Sequence, residues 1–452
     1  METKCSLVSE MTKQGQEVPE STISHRWKWT ELSVWTDKML TALEKGVKGG
    51  KWFSLIDKVY SSSNLLNAWK RVKANKGGAG VDNVSVKMYD KQINHRLPKL
   101  SDKLKNGEYK PNAIKRVMID KPGSKEKRPL GIPTVEDRIV QTAIRNVIEP
   151  IFEIKFSENS FGFRPKRGCK DALRIVYNKL YEEYRFIVDA DLKGYFDTIS
   201  KPKLMDLIKE EISDSRVLKL IEIFLNQSVF DGLETWIPEY GTPQGAVLSP
   251  LLANIYLNRL DWLMYNNGYL MVRYADDFII MCKTKESAEK ALSIVKEWTD
   301  EAELILHPEK TKILDIMQDE IEFLGYRFVK SKNYAKKKLF WKFPKRKSLN
   351  KLKDNIRKHT RRSNRNSLKQ IIVRINPIIK GWFEYYKHCY KTVFPEVDGW
   401  IRRRLRSILK KYGKRKGIAT TYKDNFRYSN KIFEDNGLFS TAKTHYGLCR
   451  PR

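Results

Sequence analysis

Two adjacent carboxylates interrupt an apolar stretch of the chain, MVRYADDFII at residues 271–280. Neighbouring side chains of a continuous strand point to opposite faces, so Asp276 or Asp277 would then enter the core. An unpaired buried carboxylate is costly even after relaxation of its surroundings. A hairpin that turns at residues 274–277 avoids this cost, because Asp tolerates turn geometry. The stretch predicts a hairpin with both carboxylates at an accessible tip, although an ordinary surface turn fits the same pattern.

A second acidic stretch, YRFIVDADLKGYFDTI at residues 184–199, supplies the further oxygen ligands that a metal site needs. If it is a strand, Ile187, Asp189 and Asp191 share one face, and at least one carboxylate lies near the strand's end. With the hairpin, it places three acidic groups on adjacent strands, where they repel one another unless divalent cations neutralise them. Oxygen ligands without nearby His or Cys suit Mg²⁺. Two such ions can activate an attacking hydroxyl and stabilise a leaving oxygen in nucleotidyl transfer.

The charge of the chain is large and unevenly distributed. Its 452 residues carry a formal net charge of +33. Residues 327–416 hold 31 Lys and Arg against 4 Asp and Glu, so about a quarter of the chain carries most of the excess. Such an excess indicates a polyanionic partner, either nucleic acid or an acidic membrane surface. The asymmetry favours nucleic acid over a merely solvated charged face.

Other features of the composition exclude several classes of protein. No window approaches the roughly 18 uninterrupted apolar residues of a membrane span, and residues 1–22 lack the apolar core of a signal peptide. The five cysteines include no C-x-x-C pair, and the six histidines lack metal-ligand spacing. These patterns argue against a disulfide framework and a zinc site. We therefore expect an intracellular protein, in a bacterial cytoplasm or an organellar matrix.

The rest of the chain is predicted to form helices and a further hairpin. Residues 64–75, 371–386 and 400–409 have helical periodicity, and residues 116–133 predict a hairpin. The basic stretch 330–347 is the best candidate domain boundary. Aromatic side chains of the later helices either stack on bases or pack between helices; they are Trp382, Phe383 and Tyr386.

Several motifs resemble those of one known family. RYADDFII resembles the active-site hairpin of reverse transcriptases, and DADLKGYFD resembles their first catalytic strand. The order of further stretches narrows the resemblance to the group II intron reverse transcriptase/maturase family. These stretches are KGGAGVD, RPLGIPTVEDRIVQ (128–141), SFGFRPKRG (160–168), GTPQGAVLSPLLANIYL (241–257), LHPEKT (306–311) and FLGYRF (323–328). RINPIIKGWFEYYK (374–387) and GWIRRRLR (399–406) resemble the family's maturase-specific thumb, so the resemblance covers roughly residues 60–410.

The resemblance implies an α+β right-hand polymerase, with fingers and palm, followed by an α-helical, strongly basic thumb. We expect four segments: a partly disordered N-terminal extension (1–55), fingers and palm (56–335), a thumb or maturase-specific RNA-binding domain (336–430) and a tail (431–452). The implied activity is RNA-directed DNA synthesis, together with assistance to the splicing and mobility of a group II intron RNA. The implied partners are that intron RNA, an RNA template with a DNA primer, deoxynucleoside triphosphates and target DNA.

The resemblance also assigns the catalytic centre. It implies that Asp191, Asp276 and Asp277 are the catalytic residues and hold two Mg²⁺ ions. Asp189 shares their predicted face but falls outside the matching position, so we expect a structural role for it.

The resemblance also implies residues around the incoming nucleotide. Lys121 and Arg128 match positions that hold the triphosphate, where cations offset developing negative charge; nonspecific contact with the template is the alternative. Tyr195 matches the aromatic residue that excludes a ribose 2′-hydroxyl, and Phe196 is the alternative if the strand ends one residue later. Gln244, in the PQG turn, is expected beside the nucleotide or the primer end.

The predicted RNA-binding residues of the thumb are arginines, which suit the recognition of RNA through its backbone and shape. They are Arg402, Arg403, Arg404 and Arg406.

The sequence departs from the family's pattern at two places. Ala246 stands where a second glycine is usual after PQG. About 40 residues follow Lys411, without paired cysteines or a histidine cluster, so we expect no DNA-nicking endonuclease. Two alternative functions share many of these motifs. One is an intron-independent reverse transcriptase with a host or phage-defence role. The other is a splicing factor without catalysis, against which the intact YADD and DADL argue.

Overall fold

The computed structural model divides the chain into two compact units, which meet in sequence between Ile313 and Leu314. The residues that it describes are 26–47, 49–120, 127–331, 340–363 and 366–449. The boundary predicted at 330–347 therefore lies inside the second unit. The α+β fold class predicted from the sequence is confirmed.

Helices outnumber strands among the described residues of the first unit. They are α1 (Asp37–Lys45), α2 (Ile56–Tyr60), α3 (Ser62–Asn75), α4 (Val86–Lys91), α5 (Ile93–Asn106), α6 (Val135–Glu153), α7 (Cys169–Lys179), α8 (Tyr195–Thr198), α9 (Lys201–Glu211), α10 (Ser215–Leu225), α11 (Ser249–Asn266) and α12 (Lys285–Glu301). Helix α6 is buried over most of its length, and the buried residues include the polar side chains of Gln141, Asn146 and Glu149. Its N-terminus is capped by Thr134, whose hydroxyl accepts a hydrogen bond from the backbone N–H of Asp137 at 3.2 Å. Helix α3 confirms the helix predicted over residues 64–75.

The part of the predicted N-terminal extension that the structure describes belongs to the core of this unit. Trp27 and Trp35 are 1% and 0% exposed, respectively. The Trp35 indole donates a hydrogen bond to the backbone carbonyl of Asn146, on α6, at 2.9 Å. Burial of two indole rings brings a large apolar area out of water. Residues 26–47 are therefore packed rather than loose.

Eight strands lie in the sequence of the first unit, and the last of them crosses the boundary between Ile313 and Leu314. They are β1 (Ile114–Asp120), β2 (Lys127–Ile132), β3 (Phe186–Asp191), β4 (Val229–Phe230), β5 (Thr235–Trp236), β6 (Leu270–Tyr274), β7 (Asp277–Cys282) and β8 (Lys312–Asp315). One sheet has the order β2-β1-β4-β5 and the other has the order β6-β7-β3-β8. Strands β1 and β2 pair antiparallel, which confirms the hairpin predicted over 116–133. Lys121, which follows β1 in the sequence, lies outside the described residues.

The second unit combines a small sheet with helices. Its elements are β9 (Ile321–Phe323), β10 (Tyr326–Lys330), β11 (Phe340–Pro344), α13 (Arg346–His359), α14 (Leu368–Tyr386), α15 (Val393–Tyr412), α16 (Tyr422–Arg427), α17 (Asn430–Asp435) and α18 (Thr441–Cys449). The small sheet joins the helices because the Tyr326 ring packs on Tyr385 and Tyr386, with centroid distances of 5.6 and 5.1 Å. This packing explains why the second unit begins before the predicted boundary.

Helix packing also decides the role of the aromatic residues on α14. Trp382, Phe383 and Tyr386 are buried, so they pack between elements and are not available for stacking on bases. The C-terminal residues are packed too: the Asp398 carboxylate accepts hydrogen bonds from the hydroxyls of Ser440 and Thr441, both at 2.7 Å. The predicted tail therefore includes helices α17 and α18. None of the helices within the described parts of the chain is long and apolar enough to span a bilayer.

Candidate active site

The acidic hairpin has the form predicted from the sequence. Strands β6 and β7 pair from Leu270 opposite Met281 to Tyr274 opposite Asp277. Ala275 and Asp276 are left as a two-residue turn between them. Ala275 has a φ of 59°, in the left-handed region that two-residue hairpin turns require at their first central position.

Strand β3 brings the third carboxylate to this hairpin. Asp191 lies directly opposite Asp277 in the antiparallel pairing of β3 with β7. Burial raises the pKa of Asp276, and the negative charge of Asp191 raises it further, against the lowering effects of its own backbone N–H and of Arg273. The backbone therefore brings Asp191, Asp276 and Asp277 to the same end of the sheet, as predicted. Asp189, two residues earlier, lies opposite Ile279 rather than opposite another carboxylate.

Asp191, Asp276 and Asp277 share one end of the sheet, but in the described residues their side chains are not grouped into a metal-binding site. Asp191 Oδ2 accepts a hydrogen bond from Lys310 Nζ at 2.7 Å. Within the described ranges, no three or more His, Cys, Asp or Glu side chains are grouped so as to hold a metal ion. The donor set nevertheless fits a hard divalent cation, because its ligands are carboxylate oxygens. The repulsion that raises the pKa of Asp276 is also one that such a cation would relieve.

A buried arginine, which the sequence reasoning missed, supports the turn. Arg273 is 0% exposed and pairs with Asp261 on α11, Nε to Oδ1 at 2.8 Å. Its Nη1 donates to Asn254 Oδ1 and to the carbonyl oxygen of Ala275, both at 2.9 Å. The signal in the sequence was an arginine inside an apolar strand, since such a charge needs a buried partner.

The stretch SFGFRPKRG packs along the same hairpin. The Phe161 N–H donates to the Arg273 carbonyl, and the Arg273 N–H donates to the Asn159 carbonyl, both at 2.9 Å. A Cβ atom on Gly162 would lie 2.2 Å from the backbone nitrogen of Ala275, so only glycine fits there. Asn254 Nδ2 donates to the Gly162 carbonyl at 2.7 Å. These contacts leave the turn little freedom to move.

The two aromatic candidates for sugar selection differ in position. Tyr195 is 2% exposed, and its hydroxyl donates to the backbone carbonyl of Ala253 on α11 at 2.6 Å. Phe196 is only partly buried and meets the exposed Phe163 edge to face, with ring centroids 6.5 Å apart. Burial places the Tyr195 ring in the core, so Phe196 is the one of the two that a nucleotide could reach.

Gln244 connects the PQG turn to two other elements. Its Nε2 donates to Asp197 Oδ2 at 2.8 Å, and its backbone carbonyl accepts a hydrogen bond from the Gly131 N–H of β2 at 2.6 Å. Asp197 and Gln244 line a cavity of about 350 Å³ together with Arg116 and Trp236 of the neighbouring sheet. Burial raises the pKa of Asp197, although Arg116 and the bond from Gln244 oppose the rise. Gln244 therefore lies at a concave surface beside the segment that carries Phe196.

The structure also describes Arg128 of the predicted nucleotide site and Ala246, the departure from the family's pattern after PQG. Arg128 is exposed on β2, opposite Ile119 of β1. Ala246 is 6% exposed, and its N–H donates to the Pro243 carbonyl at 3.1 Å, which closes the PQG turn. The alanine is therefore accommodated without opening the turn.

The four arginines predicted to bind RNA do not form one surface. Arg404 donates to the side chain and the carbonyl of Thr360, both at 2.9 Å. Arg406 is 7% exposed, and its Nε donates to the Tyr428 carbonyl at 2.8 Å. Arg402 is partly buried, 4.0 Å from a carboxylate oxygen of Asp398. Arg403 is exposed. The guanidinium groups of Arg404 and Arg406 tie α15 to neighbouring segments, and RNA binding by the four arginines stays a prediction.

Comparisons with known proteins match two successive parts of the chain to known families. Residues 119–328 match the family model described as reverse transcriptase (RNA-dependent DNA polymerase). Residues 349–427 match the model described as the group II intron maturase-specific domain. The first match includes Asp191, Asp276 and Asp277, and the second includes most of the helices of the second unit.

Relatives with curated descriptions are similar over more than half of the chain. The group II intron-encoded protein LtrA of Lactococcus lactis is 35% identical over 257 residues, which are 55% of this chain and 40% of LtrA. Protein YkfC of Escherichia coli is 33% identical over 312 residues, which are 60% of this chain and 81% of YkfC. The chain thus spans less than half of LtrA and most of YkfC.

Similarity to solved structures is weaker. A telomerase from Candida tropicalis is 12% identical and covers 48% of this chain and 53% of its own, with a TM-score of 0.39. The family of this chain therefore rests on its sequence relatives.

Proposed function

Because the chain belongs to the group II intron-encoded reverse transcriptase/maturase family, we propose that it copies RNA into DNA and assists the splicing and mobility of a group II intron RNA. The observation that carries the polymerase proposal is the pairing of Asp191 with Asp277 beside the turn that holds Asp276. Three carboxylates held by one sheet are the donor set that metal-assisted nucleotidyl transfer needs.

In this proposal Asp191, Asp276 and Asp277 hold two Mg²⁺ ions. Bound Mg²⁺ would activate the attacking hydroxyl and stabilise the leaving oxygen. The protein's own contribution is to keep the carboxylates in place through the strand pairing and through Arg273. Lys310, which bonds to Asp191, offsets part of the local negative charge while no metal is bound.

Four residues form the nucleotide-binding part of the proposed site. Arg128 on β2 is accessible to a triphosphate, whose negative charge a guanidinium group binds well. We assign Lys121 the same role, by its position in the sequence between β1 and β2. In this proposal Phe196, rather than the buried Tyr195, selects deoxyribose by excluding a 2′-hydroxyl. Gln244 contacts the nucleotide or the primer end from the PQG turn.

The second unit supplies the grip on nucleic acid. Residues 327–416 carry an excess of 27 positive charges, which favours binding to phosphates. The match of residues 349–427 to the maturase-specific domain supports intron RNA as the structured partner. An RNA template with a DNA primer, and target DNA, complete the partners of this proposal. The protein would act where its intron is transcribed, in a bacterial cytoplasm or an organellar matrix.

Primer extension tests the polymerase proposal. The full chain is given an RNA template, a DNA primer, deoxynucleoside triphosphates and Mg²⁺, and the products are sized. Asp191→Asn and Asp276→Asn should abolish extension, because each removes a carboxylate ligand. Asp189→Asn is the matched control on the same strand and should retain extension. Robust synthesis by a folded Asp276→Asn variant would refute the assignment of the site.

Protein-dependent splicing of the flanking intron at near-physiological Mg²⁺ tests the second activity. Asp276→Asn should support splicing about as well as the wild type, because RNA stabilisation does not need the metal site. If splicing is lost with the aspartate while RNA binding remains, the two activities are not separable as proposed.

A further inference from the structure

Helix α16 presents two uncovered aromatic rings. The side chains of Tyr422 and Phe426 are 84% and 82% exposed, among the highest values for large apolar residues in the described chain. They are four residues apart, so they lie on the same side of the helix. Ile418, just before the helix, is also 61% exposed. Large rings normally gain from burial, so two adjacent exposed rings form a candidate binding surface.

The opposite side of α16 is firmly attached to α15. The Asp424 carboxylate accepts a hydrogen bond from Lys410 Nζ of α15 at 3.0 Å. The Ala419 N–H donates to the Ser407 hydroxyl at 3.1 Å. These bonds fix which side of the helix faces outward. The exposure of the two rings is therefore a consequence of the fold and not of a free chain end.

The surroundings of the rings are strongly basic. Residues 410–428 contain seven Lys and Arg and a single acidic residue, Asp424. Asp424 is already paired with Lys410. The remaining six cations are exposed: Lys411, Lys414, Arg415, Lys416, Lys423 and Arg427.

We propose that Tyr422, Phe426 and these six cations form a stacking surface for unpaired nucleotides of RNA, an inference that rests on the proposed function of the second unit. Aromatic rings stack on the faces of bases, and cations beside them hold the phosphates of the same strand. Bases in a duplex are already stacked on one another and do not offer their faces. The surface should therefore prefer loops, bulges and single strands to uninterrupted helices. Its charge also disfavours any partner that is not strongly anionic.

Equilibrium binding of the full chain to two labelled RNAs tests the proposal. One is an unstructured single strand of about 12 nucleotides and the other is a blunt duplex with the same number of phosphates. Tyr422→Ala combined with Phe426→Ala should weaken single-strand binding by roughly fivefold or more per ring and leave duplex binding unchanged. The slope of log K against log salt should stay the same, because no phosphate contact is removed.

Two further variants separate stacking from charge. Lys414→Gln, Arg415→Gln and Lys416→Gln together should weaken both RNAs and make the salt slope shallower. Phe53→Ala with Tyr265→Ala is the matched control, because it removes one exposed Phe and one exposed Tyr from the first unit, 66% and 62% exposed. That control should bind both RNAs like the wild type. Tyr422→Phe with Phe426→Tyr keeps both rings and should retain full affinity.

Unchanged single-strand binding by the double-alanine variant would overturn the proposal. An equal loss of affinity for both RNAs would overturn it as well. Primer extension by the double-alanine variant distinguishes a failure of this proposal from a failure of the proposed function. If single-strand binding depends on the rings but the wild-type protein cannot extend a primer, the stacking surface is supported and the polymerase proposal is refuted. If the protein extends a primer but single-strand binding does not depend on the rings, the polymerase proposal stands and the stacking surface is refuted.

Discussion

Arg273 and Asp261 form a two-pronged ion pair inside the first unit, with Nε 2.8 Å from Oδ1 and Nη2 2.5 Å from Oδ2. Arg273 is completely buried, and it also holds the carbonyl of Ala275, the residue before Asp276. The pair therefore connects the interior of the fold to the position of a proposed metal ligand.

Asp261→Asn should destabilise the first unit strongly, because it leaves a buried guanidinium group without its counter-charge. We expect the free energy of unfolding to fall by about 3–5 kcal/mol. Denaturant unfolding, followed by tryptophan fluorescence of the full chain, measures it. The paired replacement Arg273→Met with Asp261→Leu should recover part of the loss, since no unpaired charge remains. A change below about 1 kcal/mol for Asp261→Asn would contradict this account.

Sugar selection should depend on Phe196. Phe196→Ala opens the space beside the sugar and should raise incorporation of ribonucleotides relative to deoxyribonucleotides. Tyr195→Phe is the control: it removes only the hydroxyl that bonds to Ala253, so stability should fall slightly and sugar preference should not change. The measurement is primer extension with each nucleotide class, compared as kcat/KM. Relaxed selection in a Tyr195 variant alone would reverse the assignment.

This pair of residues shows what the sequence could and could not provide. The hairpin and the acidic strand were predictable, because neither carboxylate of an adjacent pair can be buried cheaply and because strand faces alternate. The choice between Tyr195 and Phe196 depended on where β3 ends, and an error of one residue exchanges the two faces. The structure ends β3 at Asp191 and buries Tyr195 in the following short helix.

Partners from distant elements were less predictable. The apolar setting of Arg273 indicated that it needs an acid, but not that Asp261 on α11 supplies it. Likewise, the run Arg402–Arg406 has the composition of an RNA-binding helix, and composition does not show that Arg404 and Arg406 bond to neighbouring segments. Local sequence patterns predict the helices and strands, whereas tertiary contacts determine which arginines hydrogen-bond to other segments of the protein.

Lys310 should compete with a metal ion for Asp191, because its ammonium group lies 2.7 Å from Oδ2. Lys310→Ala removes this competition and should tighten metal binding. The ion pair is largely exposed, at 60% and 41%, so it is worth about 0.2–1 kcal/mol, which limits the gain to roughly fivefold. Binding of Mn²⁺ to the full chain, followed by electron paramagnetic resonance, measures this without catalysis. Weaker binding in Lys310→Ala would contradict the competition, and Asp191→Asn is the control that should lose affinity.

Arginines on α15 should divide into two groups. Arg403 is exposed, so Arg403→Gln should weaken RNA binding modestly and make the salt slope shallower, without affecting stability. Arg406→Gln should mainly destabilise the second unit, because Arg406 is buried against the Tyr428 carbonyl and Asn430. Thermal unfolding and RNA titration of both variants measure the two effects. Equal loss of RNA affinity in two stably folded variants would support the original prediction for Arg406.

Asp137, at the start of α6, should make the stability of the first unit depend on pH. It is 1% exposed, and burial raises the pKa of its carboxyl from 3.8 to about 6, although the hydrogen bond from the Tyr109 hydroxyl opposes the rise. The folded state therefore binds this proton more tightly than the unfolded state does. The resulting stabilisation is complete below about pH 4 and is lost as the pH rises to about 6, by roughly 3 kcal/mol in total.

Asp137→Asn cannot ionise, so its free energy of unfolding should lack this component. The difference between variant and wild type should therefore shift in favour of the variant as the pH is raised from about 4 to about 7, and then level off. Denaturant unfolding at a series of pH values measures this difference and cancels the contributions of all other groups. A difference for Asp137→Asn that does not change with pH would show that the buried carboxyl keeps an ordinary pKa, with its charge stabilised by the bonds from Tyr109 and Gln227.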